Sequence, residues 1–212
     1  MTFALVDYRK GNIKSVERAL VACGAEVFLT SDPSVVREAC AVVLPGVGAF
    51  ADAMGTLNEL GLAGAVRDAI DRGVPFLGIC LGMHLMFEGG VEHAEGDAPT
   101  PGLGVLPGVV GAMPREGADG VAFKVPHVGW NSVRFCEGDP LFSGVAQDEH
   151  FYFTHSFIAP ESCFTTGETT HSVTFPSAVR KGNAFGVQFH PEKSSGAGAA
   201  LIGNFVDFAG RA

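Results

Sequence analysis

Basic residues are scarce. The 212-residue chain carries 14 Lys and Arg against 23 Asp and Glu, a formal charge of −9, which opposes nucleic acid or an anionic membrane surface as a partner. Charged residues of either sign make up only 17% of the chain while 47% are hydrophobic, a balance that excludes disorder and supplies a large core. No apolar run approaches the roughly 18 residues that a membrane-spanning helix needs. The start, Met1-Thr2-Phe3-Ala4-Leu5-Val6-Asp7, lacks the basic residues of a secretory signal and reads as a first strand. Five cysteines (Cys23, Cys40, Cys80, Cys136, Cys163) make an odd number with no Cys-x-x-Cys pair and no metal-ligand spacing. Reduced thiols and a cytoplasmic location are therefore expected. Internal repeats, low-complexity stretches and breaks in composition are missing too, which leaves one domain over residues 1–212 as the expectation.

What is present is an alternation of strand and helix signals. Phe3 to Asp7 reads as a strand; Asn12 caps a helix with Ile13, Val16, Leu20 and Cys23 on one face, and Gly24 ends it. Val27 to Leu29 gives a second strand, Asp32-Pro33 a helix start, and Ala41 to Leu44 a third strand broken by Pro45-Gly46-Val47-Gly48. Leu62, Val66 and Ile70 mark a helix closed by Gly73, ahead of a fourth strand from Pro75 to Cys80. This β-α-β order predicts an α/β fold with an open, mostly parallel central sheet flanked by helices. Leu81 to Glu88 carries helix formers, and Gly89 to Pro101 reads as a surface loop. Beyond it Val121 to Val128, Ser132 to Phe135, Phe151 to Phe157, Cys163 to Glu168, Ser172 to Phe175, Ala178 to Lys181 and Ala184 to Phe189 read as closely spaced strands of an added antiparallel layer. A last helix turns Leu201, Ile202, Phe205 and Ala209 inward.

The candidate chemistry centres on Gly78-Ile79-Cys80-Leu81-Gly82. An apolar strand closed by Gly-x-Cys-x-Gly is the cysteine form of a nucleophile elbow, in which flanking glycines let neighbouring backbone come close. A helix amino-terminus following the cysteine favours its thiolate. By itself the pattern more often describes a buried structural cysteine, so a base is needed to decide. His190 in Phe189-His190-Pro191-Glu192 is one candidate, because the extended backbone before proline turns positions i and i+2 to one side and brings Glu192 to bear on the imidazole. His84, one helical turn past Cys80, is the rival. His127, His155 and His171 lie in or beside apolar strands as hydrogen-bonded structural residues, and His93 and His150 read as loop residues. For the oxyanion of a carbonyl attack, the N–H of Leu81 is the natural first donor, and the Pro45 to Gly48 turn, on the same carboxyl edge, supplies a second. That turn has neither the Gly-x-Gly-x-x-Gly nor the Gly-Lys-Ser/Thr of a nucleotide site.

Taken together, Asp7-Tyr8 with Gly11-Asn12, Leu44 to Phe50, Gly78 to Met83, His127-Val128-Gly129-Trp130-Asn131, Tyr152 to Phe157 and Gln188 to Ser194 resemble the class I, triad-type glutamine amidotransferases. Within that family the chain is similar to the glutaminase subunits of imidazole glycerol phosphate synthase, over nearly its whole length. The resemblance implies Cys80 as nucleophile, His190 as general base and then acid, Glu192 as the group orienting His190, and backbone N–H groups around Val47, Gly48 and Leu81 as the oxyanion hole. It implies that Gly46, His84, Glu92, His155, Ser156 and Phe157 hold L-glutamine. It also implies that Gly11, Asn12, Trp130, Asn131 and Lys181 face a separate (β/α)8-barrel cyclase subunit in a heterodimer. Ammonia would pass to that partner, which makes imidazole glycerol phosphate and an aminoimidazole carboxamide ribonucleotide in histidine biosynthesis. No metal or cofactor takes part. Family behaviour adds a glutaminase almost silent until the cyclase, with its nucleotide, reorganises the Pro45 to Gly48 strand end.

Two positions depart from the family pattern. His84 stands where glutamine is usual, which touches substrate binding, and Arg9 stands where glycine is usual, which touches the loop near the cyclase face. Other readings stay open on the residues alone. One is a triad glutaminase serving anthranilate, aminodeoxychorismate, pyridoxal phosphate or GMP synthesis; others are a regulatory subunit without turnover, and a cysteine hydrolase or chaperone of the same topology.

Overall fold

The computed structural model describes residues 2–9 and 11–211. Strands and helices alternate through the first half: β1 (Thr2–Val6), α1 (Ile13–Ala22), β2 (Glu26–Thr30), α2 (Pro33–Glu38), β3 (Ala41–Gly46), α3 (Phe50–Glu59), α4 (Leu62–Asp71), β4 (Phe76–Cys80) and the short α5 (Leu81–His84). The second half is mostly strand: β5 (Phe87–Gly90), β6 (Thr100–Pro101), β7 (Leu106–Ala112), β8 (His127–Phe135), β9 (Glu149–His155), β10 (Phe157–Ile158), β11 (Thr165–Thr170), β12 (Thr174–Lys181) and β13 (Ala184–Val187), before α6 (Ser195–Ala209).

Nine strands form one sheet in the order β2-β1-β3-β4-β13-β12-β11-β8-β9. The first five run parallel and the remaining pairings are antiparallel. The antiparallel part thus continues the parallel sheet edge to edge. A separate small sheet, β10-β7-β5-β6, packs beside it. β3, β4 and β13 are buried at every residue, as expected of central strands covered on both faces, whose sequences are near-continuous apolar runs. Alternation then assigns side chains to two cores. Ala4, Val6, Val42 and Leu44 pack under α2, α3 and α4; Phe3, Leu5, Ala41, Val43 and Ile79 pack under α1 and α6. Leu201, Ile202, Phe205 and Ala209 are the buried face of α6, and Phe205 meets Phe3 edge-on at 6.1 Å.

Local signals explain several boundaries. Asp32 caps α2, its Oδ1 accepting from the Ser34 N–H at 2.8 Å. Gly24, at φ +87°, closes α1 by donating to the Val21 carbonyl at 2.9 Å. Asn12 precedes α1 but offers no side-chain bond. Other boundaries differ from the sequence reading. The helix expected over Leu81 to Glu88 stops at His84, and the chain re-enters a strand at Phe87 because Phe87, Gly89 and Gly90 are needed beside β7. The ends of the Gly89 to Pro101 loop are strands of that same sheet. Of the strand expected over Val121 to Val128 only His127 and Val128 are strand, as the start of β8; before them there is a single bridge, Glu116 to Ala122. Residues 172–175 and 178–181 belong largely to one strand, β12. The sequence reading also left out β7 and α3. Among the described residues no helix is long and apolar enough to cross a membrane.

Candidate active site

β4 delivers Cys80 at the carboxyl edge of the sheet. Its backbone has φ +53° and ψ −106°, a region that costs an ordinary residue of order 1–3 kcal/mol and is held only where surroundings enforce it. The flanking glycines make that turn possible. A Cβ on Gly78 would stand 2.6 Å from the Gly82 carbonyl oxygen, and one on Gly82 would overlap the Leu44 carbonyl oxygen. Cys80 is 7% exposed.

Parallel pairing then collects the other groups. Gly46 lies opposite Cys80 in the β3–β4 register, so Val47 and Gly48 follow on the same edge, with Gly48 at φ +102°. β13 runs parallel to β4 on its other side, Val187 opposite Ile79. The next residues, Gln188 to Glu192, therefore emerge beside Cys80, although the sequence reading placed this strand in the antiparallel layer. His190 Nδ1 lies 2.9 Å from Glu192 Oε1, with side chains only 3% and 1% exposed. The backbone of His190 is pinned: its N–H donates to the Tyr152 carbonyl at 2.8 Å, and its carbonyl accepts from Ser194 Oγ at 2.6 Å. Ser194 Oγ in turn accepts from the Tyr152 N–H at 3.0 Å.

Burial alone would lower the His190 pKa, but the charges of Cys80 and Glu192 outweigh it and raise it to about 10. Among the described residues Nε2 of His190 makes no hydrogen bond of good geometry, while the neighbouring Cys80 acts on the ring, so this nitrogen is placed to exchange a proton with the sulfur. A buried cysteine beside an imidazole that a carboxylate orients is the arrangement that nucleophilic attack on an amide requires.

A cavity of about 500 Å3 opens over Cys80, walled by Val47, Gly48, Leu81, His84, Glu92, His155, Ser156 and Phe157 among others. Eight of the residues read from the sequence as oxyanion or substrate groups thus meet around the thiol. Gly46 does not: the space where its Cβ would point is filled by the Tyr8 hydroxyl and Leu81, so it backs the turn and leaves the cavity wall to its neighbours. Glu92 Oε2 accepts from the Phe50 N–H at the start of α3 at 3.2 Å, and burial raises its carboxyl pKa. His84 is 4% exposed, and its Nε2 is turned to Gln188 Oε1 at 2.6 Å, away from the role of base. Burial lowers its pKa to about 4. His155 Nδ1 donates to the Phe157 carbonyl at 2.9 Å, leaving Nε2 to accept from His127 Nδ1 at 3.1 Å. His127 Nε2 faces the Asn131 amide at 3.3 Å. The two histidines read as structural therefore tie Asn131 to the cavity wall.

Of the residues assigned to a partner face, Gly11 lies against Gly46, while Trp130 is 52% exposed and meets Tyr152 edge-on at 6.2 Å. Lys181 is elsewhere. It pairs with Ala184, which pairs with Phe76 at the amino start of β4, so it sits at the far edge of the sheet with Nζ on the Val105 carbonyl at 2.8 Å. The antiparallel run of β12 is what carries it there. Lys193, over the Tyr152 ring at 5.7 Å, is the lysine on the cavity side. Sequence reading gave no role to Gln188 or Ser194; a glutamine and a serine inside the run Val187 to Ser194, in step with His190, were the available signals. Among the described residues no group of three or more His, Cys, Asp or Glu is arranged to hold a metal ion.

The family described as glutamine amidotransferase class-I matches residues 4–208. The chain belongs to the class-I glutamine amidotransferases. It is 46% identical over 204 residues to the imidazole glycerol phosphate synthase subunit HisH of Moorella thermoacetica, covering 95% of this chain and 92% of that one. It is 44% identical over 213 residues to the HisH subunit of Aromatoleum aromaticum, covering 97% and 98%. A crystal structure of a glutamine amidotransferase superposes with a TM-score of 0.72 over 98% of both chains at 20% identity, a likeness of fold. Among class-I amidotransferases the chain therefore groups with the HisH subunits.

Proposed function

We propose that this chain is the glutaminase subunit of an imidazole glycerol phosphate synthase, that Cys80, His190 and Glu192 are its catalytic triad, and that L-glutamine fills the cavity above them. The observation that carries the reading is the buried His190–Glu192 pair, 2.9 Å apart, beside a thiol in a glycine-flanked elbow. Cys80 Sγ attacks the side-chain carbonyl carbon of glutamine, and the oxyanion meets the Leu81 N–H and those of the Val47–Gly48 turn. The C–N bond breaks as His190 gives its Nε2 proton to the departing nitrogen, which leaves as ammonia. Neutral His190 then takes a proton from water; the hydroxide attacks the thioester, glutamate departs, and the thiolate–imidazolium pair returns. The Glu92 carboxylate, destabilised by burial, suits the substrate's ammonium group, which would relieve it.

The partner is a (β/α)8-barrel cyclase, joined as a heterodimer over the face bearing Gly11, Asn12, Trp130 and Asn131, with Lys193 in place of Lys181. The ammonia passes across that face instead of escaping to water. Residues 1–212 act as one domain, working in the cytoplasm with all five thiols reduced.

Glutamate release from glutamine, measured for the chain alone and with a cyclase subunit plus its ribonucleotide, tests the reading. Strong activation by the cyclase, abolished in Cys80→Ala, is expected. Turnover that is high alone and indifferent to the cyclase would remove the partner assignment, and turnover that survives Cys80→Ala would remove the triad.

A further inference from the structure

Cys80 has a neighbour that the triad does not use. Gln188 is fully buried, leaves β13 two residues before His190, and so shares its side of the extended chain. Its Nε2 donates toward Cys80 Sγ at 3.6 Å, while its Oε1 lies 2.6 Å from His84 Nε2. We propose that Gln188 is a catalytic residue whose amide N–H holds the Cys80 thiolate, and that His84 is the positioning residue that keeps this amide turned toward the sulfur.

The hydrogen-bond chemistry has one consistent arrangement. A carboxamide oxygen only accepts, so the short contact requires the proton on His84 Nε2. With Oε1 occupied, the NH2 group is the part of the amide left to face Sγ. Turning the amide over, with the His84 proton moved to Nδ1, would set the amide oxygen against the thiolate. Burial keeps His84 neutral above about pH 4, so the arrangement persists through the working range. The groups bearing on Sγ are then His190, itself backed by Glu192; the Tyr8 hydroxyl, buried behind Gly46 and raised in pKa by burial and by Cys80; and the Gln188–His84 pair. An N–H donor on a thiolate favours its charged form. It stabilises the sulfur before attack and again when thiolate leaves the glutamyl thioester, and it is weakest in the thioester, where the sulfur carries no charge.

The inference rests on Cys80 as the nucleophile, and its test reads the thiolate whether or not glutamine turns over. Cys23, Cys40, Cys136 and Cys163 are free as well, so alkylation by iodoacetamide is followed on the Cys80 peptide by mass spectrometry across pH. A hydrogen bond to a charged group corresponds to a shift of about one pH unit or more. In Gln188→Leu the alkylation midpoint should rise by about one unit, with the rate below the midpoint falling about tenfold and the alkaline plateau unchanged. His84→Leu should shift the midpoint the same way by less, and His84→Gln, which keeps an N–H donor, should restore it. A Gln188→Leu profile that overlays the parent would overturn the inference. If that variant does not fold, Gln188→Glu decides. It keeps the volume and the acceptor for His84 but sets a carboxylate beside the sulfur, so its midpoint should rise further; a parental midpoint there overturns the inference equally. Should neither Gln188 variant fold, the His84→Leu profile decides by the same criterion.

Discussion

Ser194 is the residue on which the position of His190 depends. Its hydroxyl donates to the His190 carbonyl and accepts the Tyr152 N–H, closing a loop between the residue ahead of α6 and β9, and it is 1% exposed. Ser194→Ala strands the Tyr152 N–H in the interior and leaves the His190 carbonyl with the Lys193 N–H alone, at a cost of about 1–3 kcal/mol. Because both lost bonds serve the base and not the substrate, kcat for glutamine hydrolysis should fall about tenfold or more with KM little changed; a rise in KM alone would assign Ser194 to binding. Arg9 is a residue-scale anomaly of another kind. It sits at φ +65°, where an L side chain costs of order 1 kcal/mol and glycine costs nothing. Its N–H nevertheless closes a turn onto Asp7 Oδ1 at 2.9 Å. Arg9→Gly should raise the melting temperature by a few degrees without altering Cys80 alkylation, and a lowered melting temperature would show that the arginine side chain contributes more than its backbone costs.

At the scale of elements, the elbow is held by steric exclusion more than by attraction. α5 packs so closely on β3 and β13 that Cβ atoms at Gly82 and Gly186 would meet the Leu44 carbonyl and the side chains of Met83 and Met86. Gly82→Ala should therefore cost more than about 3 kcal/mol, in the range of a severe core overpacking, and yield a chain with no cooperative unfolding transition; the same change at Gly55, where nothing lies within 4 Å, should be tolerated. The parallel half of the fold was legible because each strand is a short apolar run ended by Asp, Pro or Gly, and each helix repeats at its own period. Gly-x-Cys-x-Gly and His-Pro-Glu were legible as motifs in the sequence, whereas their meeting on one carboxyl edge follows from the parallel pairing of β13 with β4, which the sequence reading assigned to the antiparallel layer. What escaped depended on long-range pairing. Leu81 to Glu88 has helical composition but is claimed after one turn by β7. Lys181 reads as well as Lys193 for a partner face until the antiparallel direction of β12 carries it to the opposite edge. Gln188 looks like a polar interruption of a strand until His84, 104 residues earlier, is seen to fix its amide.

At the scale of the whole molecule, the buried histidines set how stability responds to acid. Burial lowers the pKa values of His84 and His127 to about 4 and of His155 to about 3, with the neighbouring histidines adding to the shift at His127 and His155. His84 lies in α5 at the cavity, and His127 and His155 face each other across the β8–β9 pair. An unfolded histidine titrates near pH 6.5, so between that value and pH 4 the unfolded chain binds more protons than the folded one, and unfolding becomes easier as the pH falls. His84 alone corresponds to about 3 kcal/mol over this window at about 1.4 kcal/mol per unit. His190 has the opposite sign. Its folded pKa of about 10 means that its contribution is complete below pH 6.5 and is lost as the pH rises toward 10. Stability to urea should therefore peak near pH 6.5 and fall steeply on the acid side, before most carboxylates are protonated. Because His155 Nε2 accepts the His127 proton, protonating His155 sets two donors face to face, while protonating His127 sets its new Nε2 proton against the Asn131 amide, and a first charge on the pair opposes a second. His155→Phe removes that conflict and adds a ring to the Phe153–Phe175–Phe189 cluster; it should flatten the acid limb while loosening the Phe157 carbonyl at the cavity wall. A urea midpoint that holds constant from pH 6.5 to 4 in the parent chain would mean that these histidines are hydrated in solution, and the tie from Asn131 to the cavity over Cys80 would then be lost with them.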